Sequence, residues 1–326
     1  MQSTIPSCLI TVLSDHPLTL ADAGAAGGIH QRWLRLGGYL KVLGFEPDHR
    51  EFDLLAERSD RVWINAALGE RETEISLLVT RHQTNTSLLP PNRPIVDRIY
   101  QNPSDFDVMK TVAVPCTTLD AASRTAQLEI AALKADTQGT ELAILRGARR
   151  CLQATLLVME LEVEFTPLYR EQPLYSDVDE FMREHGFMLV DLGNLLCHKW
   201  RNSASLGGRK GQLLAADALY FRDPESFRNI LTSTAEPLRL LAHYWALCAV
   251  YGYLDLAYEV TLGQQNSAWM PSTIFAEISA WAEMNARKGK GFEIRGRGRT
   301  AAWLRKLADK VDPPHHSHWI NPLGNE

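Results

Sequence analysis

The stretch Asp22-Ala23-Gly24-Ala25-Ala26-Gly27-Gly28, with Glu46 eighteen residues beyond Gly28 in Val42-Leu43-Gly44-Phe45-Glu46-Pro47-Asp48, decides the fold. Residues 17–21 form an apolar run suited to a buried strand, the glycines suit a tight turn, and residues 29–36 read as the helix that follows. Glycines at a strand-to-helix turn let a ligand lie against bare backbone amides. A second apolar run, residues 39–45, ends in Glu46, where a carboxylate accepts both hydroxyl protons of a ribose. Together the two motifs read as one nucleotide-type binding site.

The kind of nucleotide follows from spacing and charge. A dinucleotide fingerprint needs Gly-x-Gly-x-x-Gly, and counting from Gly24 the second and third glycines are replaced by Ala26 and Ile29. Asp22 at the end of the first strand repels a pyrophosphate and attracts a cationic amino acid end, which suits S-adenosylmethionine. Two readings stay beside this one: a dinucleotide-using oxidoreductase or epimerase, disfavoured by the missing glycines, and a non-catalytic binder that keeps the sheet.

The 326 residues suffice for one large and one smaller domain, and 45% hydrophobic with 22% charged residues is ordinary for a soluble globular protein. The first seventeen residues hold no Lys or Arg, and no run of eighteen uncharged apolar residues occurs, so a cytoplasmic protein without a membrane span is expected. Cys8, Cys116, Cys151, Cys197 and Cys248 form no Cys-x-x-Cys pair, which points to packed thiols rather than disulfides or a metal site. Net charge is −5, yet residues 287–310 hold nine Lys and Arg against Glu293 and Asp309. No aromatic interleaving accompanies this segment, so it reads as a solvated helix after a Gly/Arg loop, not a nucleic-acid surface. His315, His316 and His318, behind two prolines, read as a tail. Nothing in the sequence bears on oligomeric state.

Strand and helix patterns alternate through the first two thirds. Residues 49–58 read as a helix, 62–67 as a third strand, and 74–79 as a fourth, more polar one. Residues 80–110 are broken by Pro, Asn and Thr and read as a long binding loop. Residues 130–136 then give a strand, 141–152 a helix and 156–162 a strand, a parallel crossover. Residues 176–184 read as a helix with Ser176 as N-cap and Asp179 at N3, and 187–192 and 215–221 as a final antiparallel pair around a polar excursion, 193–212. Beyond residue 224 the strands stop, and residues 235–264 read as a separate helical region whose helix pair packs on the preceding domain.

These motifs resemble the FkbM family of S-adenosylmethionine-dependent methyltransferases. The resemblance is carried by residues 20–28, Gly44-Phe45-Glu46-Pro47-Asp48, Leu133-Lys134-Ala135-Asp136-Thr137-Gln138-Gly139-Thr140-Glu141, and the run from Met159-Glu160 through Phe165 to Tyr169. Thr118-Leu119-Asp120, His185-Gly186-Phe187 and Asp217-Ala218-Leu219-Tyr220 agree with it. It covers roughly residues 18–223 and implies a class I methyltransferase α/β fold: a Rossmann-like seven-stranded sheet with the last strand antiparallel, flanked by helices. Residues 1–223 are then the methyltransferase domain, and residues 224–326 a helical extension with the basic segment 287–310. The implied activity is O-methylation of a hydroxyl on a sugar, glycan or natural-product scaffold. Ala26, where the family often has Asn, and Asn65-Ala66-Ala67-Leu68 before Gly69 depart from the pattern.

Methyl transfer from a sulfonium is an in-line displacement, so the protein must align the partners and exclude water, and no metal is required. A base that takes the hydroxyl proton adds a factor of roughly a hundred to ten thousand. Carboxylates at the carboxyl ends of central strands are the candidates. Asp136 is assigned to the cofactor's amino end or to the base, Lys134 to orientation, and Glu160 is the alternative base. The cofactor-binding set is Asp22, Gly24, Ala25, Gly27, Gly28, Glu46, Asp48, Asn65, Ala66 and Asp136. Glu141 sits where an acid suits the first turn of a helix.

Overall fold

The computed structural model describes residues 5–206 and 211–289. Helix α1 (Ser7–Asp15) leads into β1 (Leu18–Ala23), all six of whose residues are buried. After the glycine turn come α2 (Gln31–Leu34), β2 (Leu40–Phe45), α3 (His49–Phe52) and β3 (Arg61–Ile64). Next, β4 (Ala67–Leu68), β5 (Thr73–Thr80), α4 (Arg93–Ile99) and β6 (Val108–Thr117) are followed by α5 (Leu119–Ala126) and β7 (Ile130–Ala135). The chain continues through α6 (Glu141–Arg146), α7 (Arg149–Ala154), β8 (Val158–Glu164), α8 (Tyr175–Glu184), β9 (Phe187–His198) and β10 (Gln212–Arg222). It then turns helical in α9 (Pro224–Ser233), α10 (Pro237–Tyr251), α11 (Leu254–Leu262) and α12 (Ser272–Gly289).

Seven strands form one sheet in the order β3-β2-β1-β7-β8-β10-β9. Its strands pair in parallel as far as β8, and β10 runs antiparallel to both of its neighbours. The chain builds outward from β1 in one direction and resumes on its other side with β7. The crevice outside the carboxyl ends of β1 and β7 is therefore where such a sheet takes a ligand.

Alternation along the strands sends side chains to two faces. Ala21, Ala23, Leu43, Leu133, Ala135, Met159 and Leu161 point to the face covered by α5–α8. Leu18, Leu20, Leu40, Val42, Val158, Leu219 and Phe221 point to the other, where α1, α2 and the helices beyond residue 224 meet them in one continuous core. Helix α10 is apolar nearly all round, with eleven of its fifteen residues buried, as a helix enclosed by other elements must be. The helices beyond residue 224 thus share the core of the sheet.

Several local readings change. Residues 74–79 do not join the main sheet: β5 pairs antiparallel with β6, and β4 pairs in parallel with β6, in a separate three-stranded sheet. The third strand accordingly splits, because Asn65 and Ala66 carry the chain from β3 into β4. The helix expected over 49–58 ends at Phe52, and that over 29–36 shrinks to α2 plus a 3-10 turn at Gly37–Tyr39. The helix over 141–152 breaks at Gly147, where a Cβ would collide with the backbone of Gly69, so the small sheet abuts the main domain at that break. Helix α8 begins at Tyr175, and Asp177 rather than Asp179 accepts from the Leu174 amide (2.8 Å). The stretch 193–212 is partly strand, since β9 runs to His198 and β10 starts at Gln212. The three histidines 315, 316 and 318, and the basic segment beyond the end of α12, lie outside the described residues.

Candidate active site

In register, Asp22 of β1 lies beside Lys134 of β7, and Lys134 beside Glu160 of β8. The three side chains therefore form a polar row on one face, where the apolar rows of the same strands run out. Asp136 and Glu162, two residues further along, continue that face, and Glu162 lies opposite Asp217 of β10. Lys134 Nζ is 3.7 Å from Asp22 Oδ1 and 3.6 Å from Asp136 Oδ2, and donates to the carbonyl of Gly24 (3.3 Å). Burial pushes the Lys134 ammonium down, but Asp136, Asp22 and Glu160 more than offset this and hold it above its ordinary value. Burial likewise lifts Asp22 to about 6 against the pull of Lys134, and its Oδ1 is buried without a hydrogen-bond partner.

Asp136 behaves in the opposite sense. Burial pushes it up, yet the charge of Lys134 and hydrogen bonds from Glu162 and Gln138 bring it below the usual carboxylate range. Its side chain keeps 44% exposure toward the cavity. Glu162 is raised well above its ordinary value by burial and by the neighbouring charges of Asp136 and Glu164. Gln138 adopts a left-handed backbone (φ 57°) and fixes this pair: its Nε2 donates to Glu162 Oε2 (2.6 Å) and Asp136 Oδ1 (3.2 Å). Tyr169 donates to Gln138 Oε1 (3.0 Å), and Ser87 to the Gln138 carbonyl (2.8 Å), tying the loop around residues 83–88 to the acids.

A cavity of about 440 Å³ opens over these groups, within the ordinary range for a small-molecule site. One end is lined by Gly24, Ala26, Glu46, Pro47, Asp48 and Ala66; the other by Glu162, Glu164, Tyr100, Leu168, Leu196 and His198; Lys134 and Asp136 stand between them. A smaller cavity of about 250 Å³ lies under the glycine turn, lined by Asp22, Gly28, His30, Arg32, Glu160 and Asp217 with Lys134, Asp136 and Glu162. Depressions of about 540 and 750 Å³ near Arg58 and Arg61 lie at the amino end of β3, away from the crevice.

The glycine turn works differently from the expectation. The amides of Gly24 and Ala25 both donate to the Phe45 carbonyl (3.0 and 3.1 Å) and that of Gly28 to Ala25 (2.9 Å), so these three are already spent within the protein. What Gly24 supplies is closeness: at φ +75° a Cβ would fall on the Asp136 carbonyl oxygen. Gly27 and Gly28 also have positive φ but face open space, and of the two only Gly28 meets a cavity, the smaller one. Ala25 is buried and lines neither cavity.

Glu46 accepts from the Asp48 amide (2.8 Å) and is lifted to about 7, chiefly by burial. Asp48 is drawn into an ion pair with Arg50 (2.5 Å), which outweighs burial and lowers it. Asn65 donates to the Glu46 carbonyl (2.8 Å) and so shapes the pocket's floor. Glu160 stands apart from the larger cavity, its Oε2 accepting from Tyr251 (2.6 Å) and facing Arg32 (3.5 Å). Glu141 reaches back to the Thr137 amide (2.7 Å), closing the first turn of α6.

Gln138 and Tyr169 entered the sequence reading only as parts of motifs, and Glu164, Ser87, Tyr100, His198, Arg32 and Tyr251 were not among its site residues. Three acids alternating on one otherwise apolar strand, Glu160-x-Glu162-x-Glu164, are a period-two signal that points to Glu164. Among the described residues no group of three His, Cys, Asp or Glu is disposed to hold a metal ion.

The strand order, the antiparallel β10 and a crevice combining a glycine turn with an acid after β2 define the class I methyltransferase architecture. Residues 22–189 match the model of the methyltransferase FkbM domain, and the chain belongs to that family of methyltransferases. Similar solved structures include the methyltransferase FkbM from Methylobacillus flagellatus KT (15% identity, covering 63% of this chain and 43% of that one, TM-score 0.35). Magnesium protoporphyrin IX methyltransferase from Synechocystis PCC 6803, with bound SAM, is another (12% identity, 67% and 77%, TM-score 0.31). A putative tRNA (m1A22) methyltransferase from Streptococcus pneumoniae is a third (13% identity, 86% and 98%, TM-score 0.30). The chain thus spans less than half the length of the Methylobacillus protein. No curated protein matches the chain.

Proposed function

We propose that the protein transfers a methyl group from S-adenosylmethionine to a hydroxyl oxygen of a sugar, glycan or natural-product scaffold. The observation that carries this reading is one cavity bounded by Glu46 at one end and by the Asp136–Glu162 pair at the other, with Lys134 between them. The residues fit the cofactor. Glu46 offers a buried carboxylate to a ribose, Gly24 leaves room at the turn, and the unsatisfied Oδ1 of Asp22 awaits a donor such as an ammonium.

S-adenosylmethionine, when bound, supplies a methyl carbon already activated on a sulfonium. Glu46 and Ala66 would hold its adenosine end, and Asp22 and Gly24 its amino acid end. The chain's own work is then to present the acceptor hydroxyl and take its proton. Asp136, ionised and facing the cavity, would take that proton and become neutral, while Glu162 and Gln138, hydrogen-bonded to it, hold its carboxylate in place. Lys134 keeps Asp136 ionised and in place. The polar lining contributed by Gln83, Thr84, Asn85, Thr86 and His198 suits a hydroxylated acceptor. A cytoplasmic setting belongs to the same reading, supported by five cysteines that are all unpaired; no helix among the described residues is long and apolar enough to cross a membrane.

The test is incubation with S-adenosylmethionine and a panel of sugars and hydroxylated small molecules, read by mass spectrometry. A one-methyl gain on an oxygen, together with release of S-adenosylhomocysteine, is the expected result. Methylation confined to nitrogen or carbon acceptors would replace the acceptor class while keeping the cofactor.

A further inference from the structure

Helix α10 lies wholly outside the residues matched by the family model, yet it delivers a side chain to the charged row. Tyr251, the last residue of that helix, is buried (2% exposed) and donates to Glu160 Oε2 at 2.6 Å. The ring is held on three sides: Trp33 meets it edge-on with centroids 5.8 Å apart, Phe221 does so at 6.1 Å, and the Arg32 guanidinium lies 5.3 Å from its centroid. Arg32 also approaches the same Glu160 oxygen, at 3.5 Å. Two donors directed at one carboxylate oxygen fix where that carboxylate sits. A tyrosine needed only to fill the core would be served as well by phenylalanine, and its hydroxyl would not have to end on a carboxylate that lines a cavity.

We propose that Tyr251 is a positioning residue of the site: it holds the Glu160 carboxylate at the wall of the 250 Å³ cavity under the glycine turn, where the cationic end of S-adenosylmethionine is drawn in. The inference rests on the cofactor assignment proposed above. The groups facing Glu160 come from every element around it: Arg32 from α2, Asp22 from β1, Lys134 from β7, Asp217 from β10 and Tyr251 from α10, with His30 on the cavity wall. Asp22 and Asp217 are both lifted by burial, to about 6 and about 7, and Glu160 adds to each rise. Any change in the charge on Glu160 is therefore felt along the row. The helical segment beyond residue 224 then completes the binding site as well as covering the sheet.

The test is calorimetric titration of the full chain with S-adenosylmethionine and with methylthioadenosine, which lacks the cationic amino acid end, comparing wild type, Tyr251→Phe and Glu160→Gln. Phenylalanine keeps the ring contacts and removes only the donor, leaving the Glu160 carboxylate to Arg32. Binding of S-adenosylmethionine by Tyr251→Phe is expected to weaken roughly three- to tenfold, with binding of methylthioadenosine unchanged. Glu160→Gln is expected to show the same selective loss, at least as large. Tyr251→Phe binding of S-adenosylmethionine indistinguishable from wild type, or a loss of equal size for both ligands, overturns the inference while leaving the cofactor assignment intact. If Tyr251→Phe does not fold, Glu160→Gln decides: a loss confined to S-adenosylmethionine supports the inference, and unchanged or equally weakened binding overturns it. If wild type fails to bind S-adenosylmethionine, the cofactor assignment and this inference fall together.

Discussion

The two faces of the sheet are built from different parts of the chain. Helices α5–α8, which cover one face, lie within the matched residues 22–189. The other face is covered by α1, α2 and α9–α12, drawn mostly from the two ends of the chain. The charged row Asp22–Lys134–Glu160 points toward this second face, and Tyr251 meets it there. The difference teaches that the terminal helices close the same layer in which the polar row sits.

Removal of residues 224–326 should have the largest effect. It uncovers Leu20, Val42, Leu219 and Phe221, and takes away Tyr244, Trp245 and Tyr251, all buried. At about 1.5–3 kcal/mol per large apolar side chain, the loss is as large as the roughly 5–15 kcal/mol that typically holds a fold together. The truncated chain is expected to show no cooperative thermal transition; a soluble, cooperatively melting 1–223 fragment would break the comparison. A single truncation on this face, Trp245→Ala, should cost about 3–5 kcal/mol in urea unfolding, because the cavity left is fully enclosed and the indole donor to Thr261 (2.9 Å) is lost as well. The equivalent cut on the other face, Leu145→Ala, should cost about 2–5 kcal/mol. Equal penalties show the faces to be equal partners in one core, whereas a negligible penalty for Trp245→Ala would mark the helices as an appendage.

Within the site, Asp136→Asn should reduce turnover at least about a hundredfold, since it removes the proton acceptor while keeping the shape, and single-turnover rates would show it. Glu46→Ala should weaken S-adenosylmethionine binding about tenfold or more by calorimetry, because two charge-assisted hydrogen bonds are removed. The smallest effect is on pH dependence without cofactor. Burial lifts Glu46, Glu141 and Asp217 to about 7 and Asp22 to about 6. The folded protein thus keeps protons that the unfolded chain releases near pH 4–4.5, and stability is lost as pH rises through 6 to 7. The melting temperature should fall by a few degrees between pH 5.5 and pH 8, and Glu46→Gln should flatten part of that fall.

Much of this was legible because strands buried on both faces leave continuous apolar runs, and the glycine turn and Glu46 mark where two of them end. Registers were not legible. That Asp22, Lys134 and Glu160 form one row depends on how three strands align, the first of them more than a hundred residues before the other two. The small sheet escaped because β5 alternates exposed and buried residues as an outer strand of the main sheet would, and its partner β6 opens with four exposed residues, Val108 to Thr111. Nothing local to Gly147 marks the break in the helix, which comes from the backbone of Gly69 packed against it. Tyr251 was legible only as one aromatic among several; nothing local announces a partner ninety-one residues away.

Parallel calorimetric titrations of the wild-type protein with S-adenosylmethionine, S-adenosylhomocysteine and NAD test the central claim most directly. Micromolar binding of the first two with no heat from NAD is the expected result. Binding of NAD alone, or of none of the three, would contradict it.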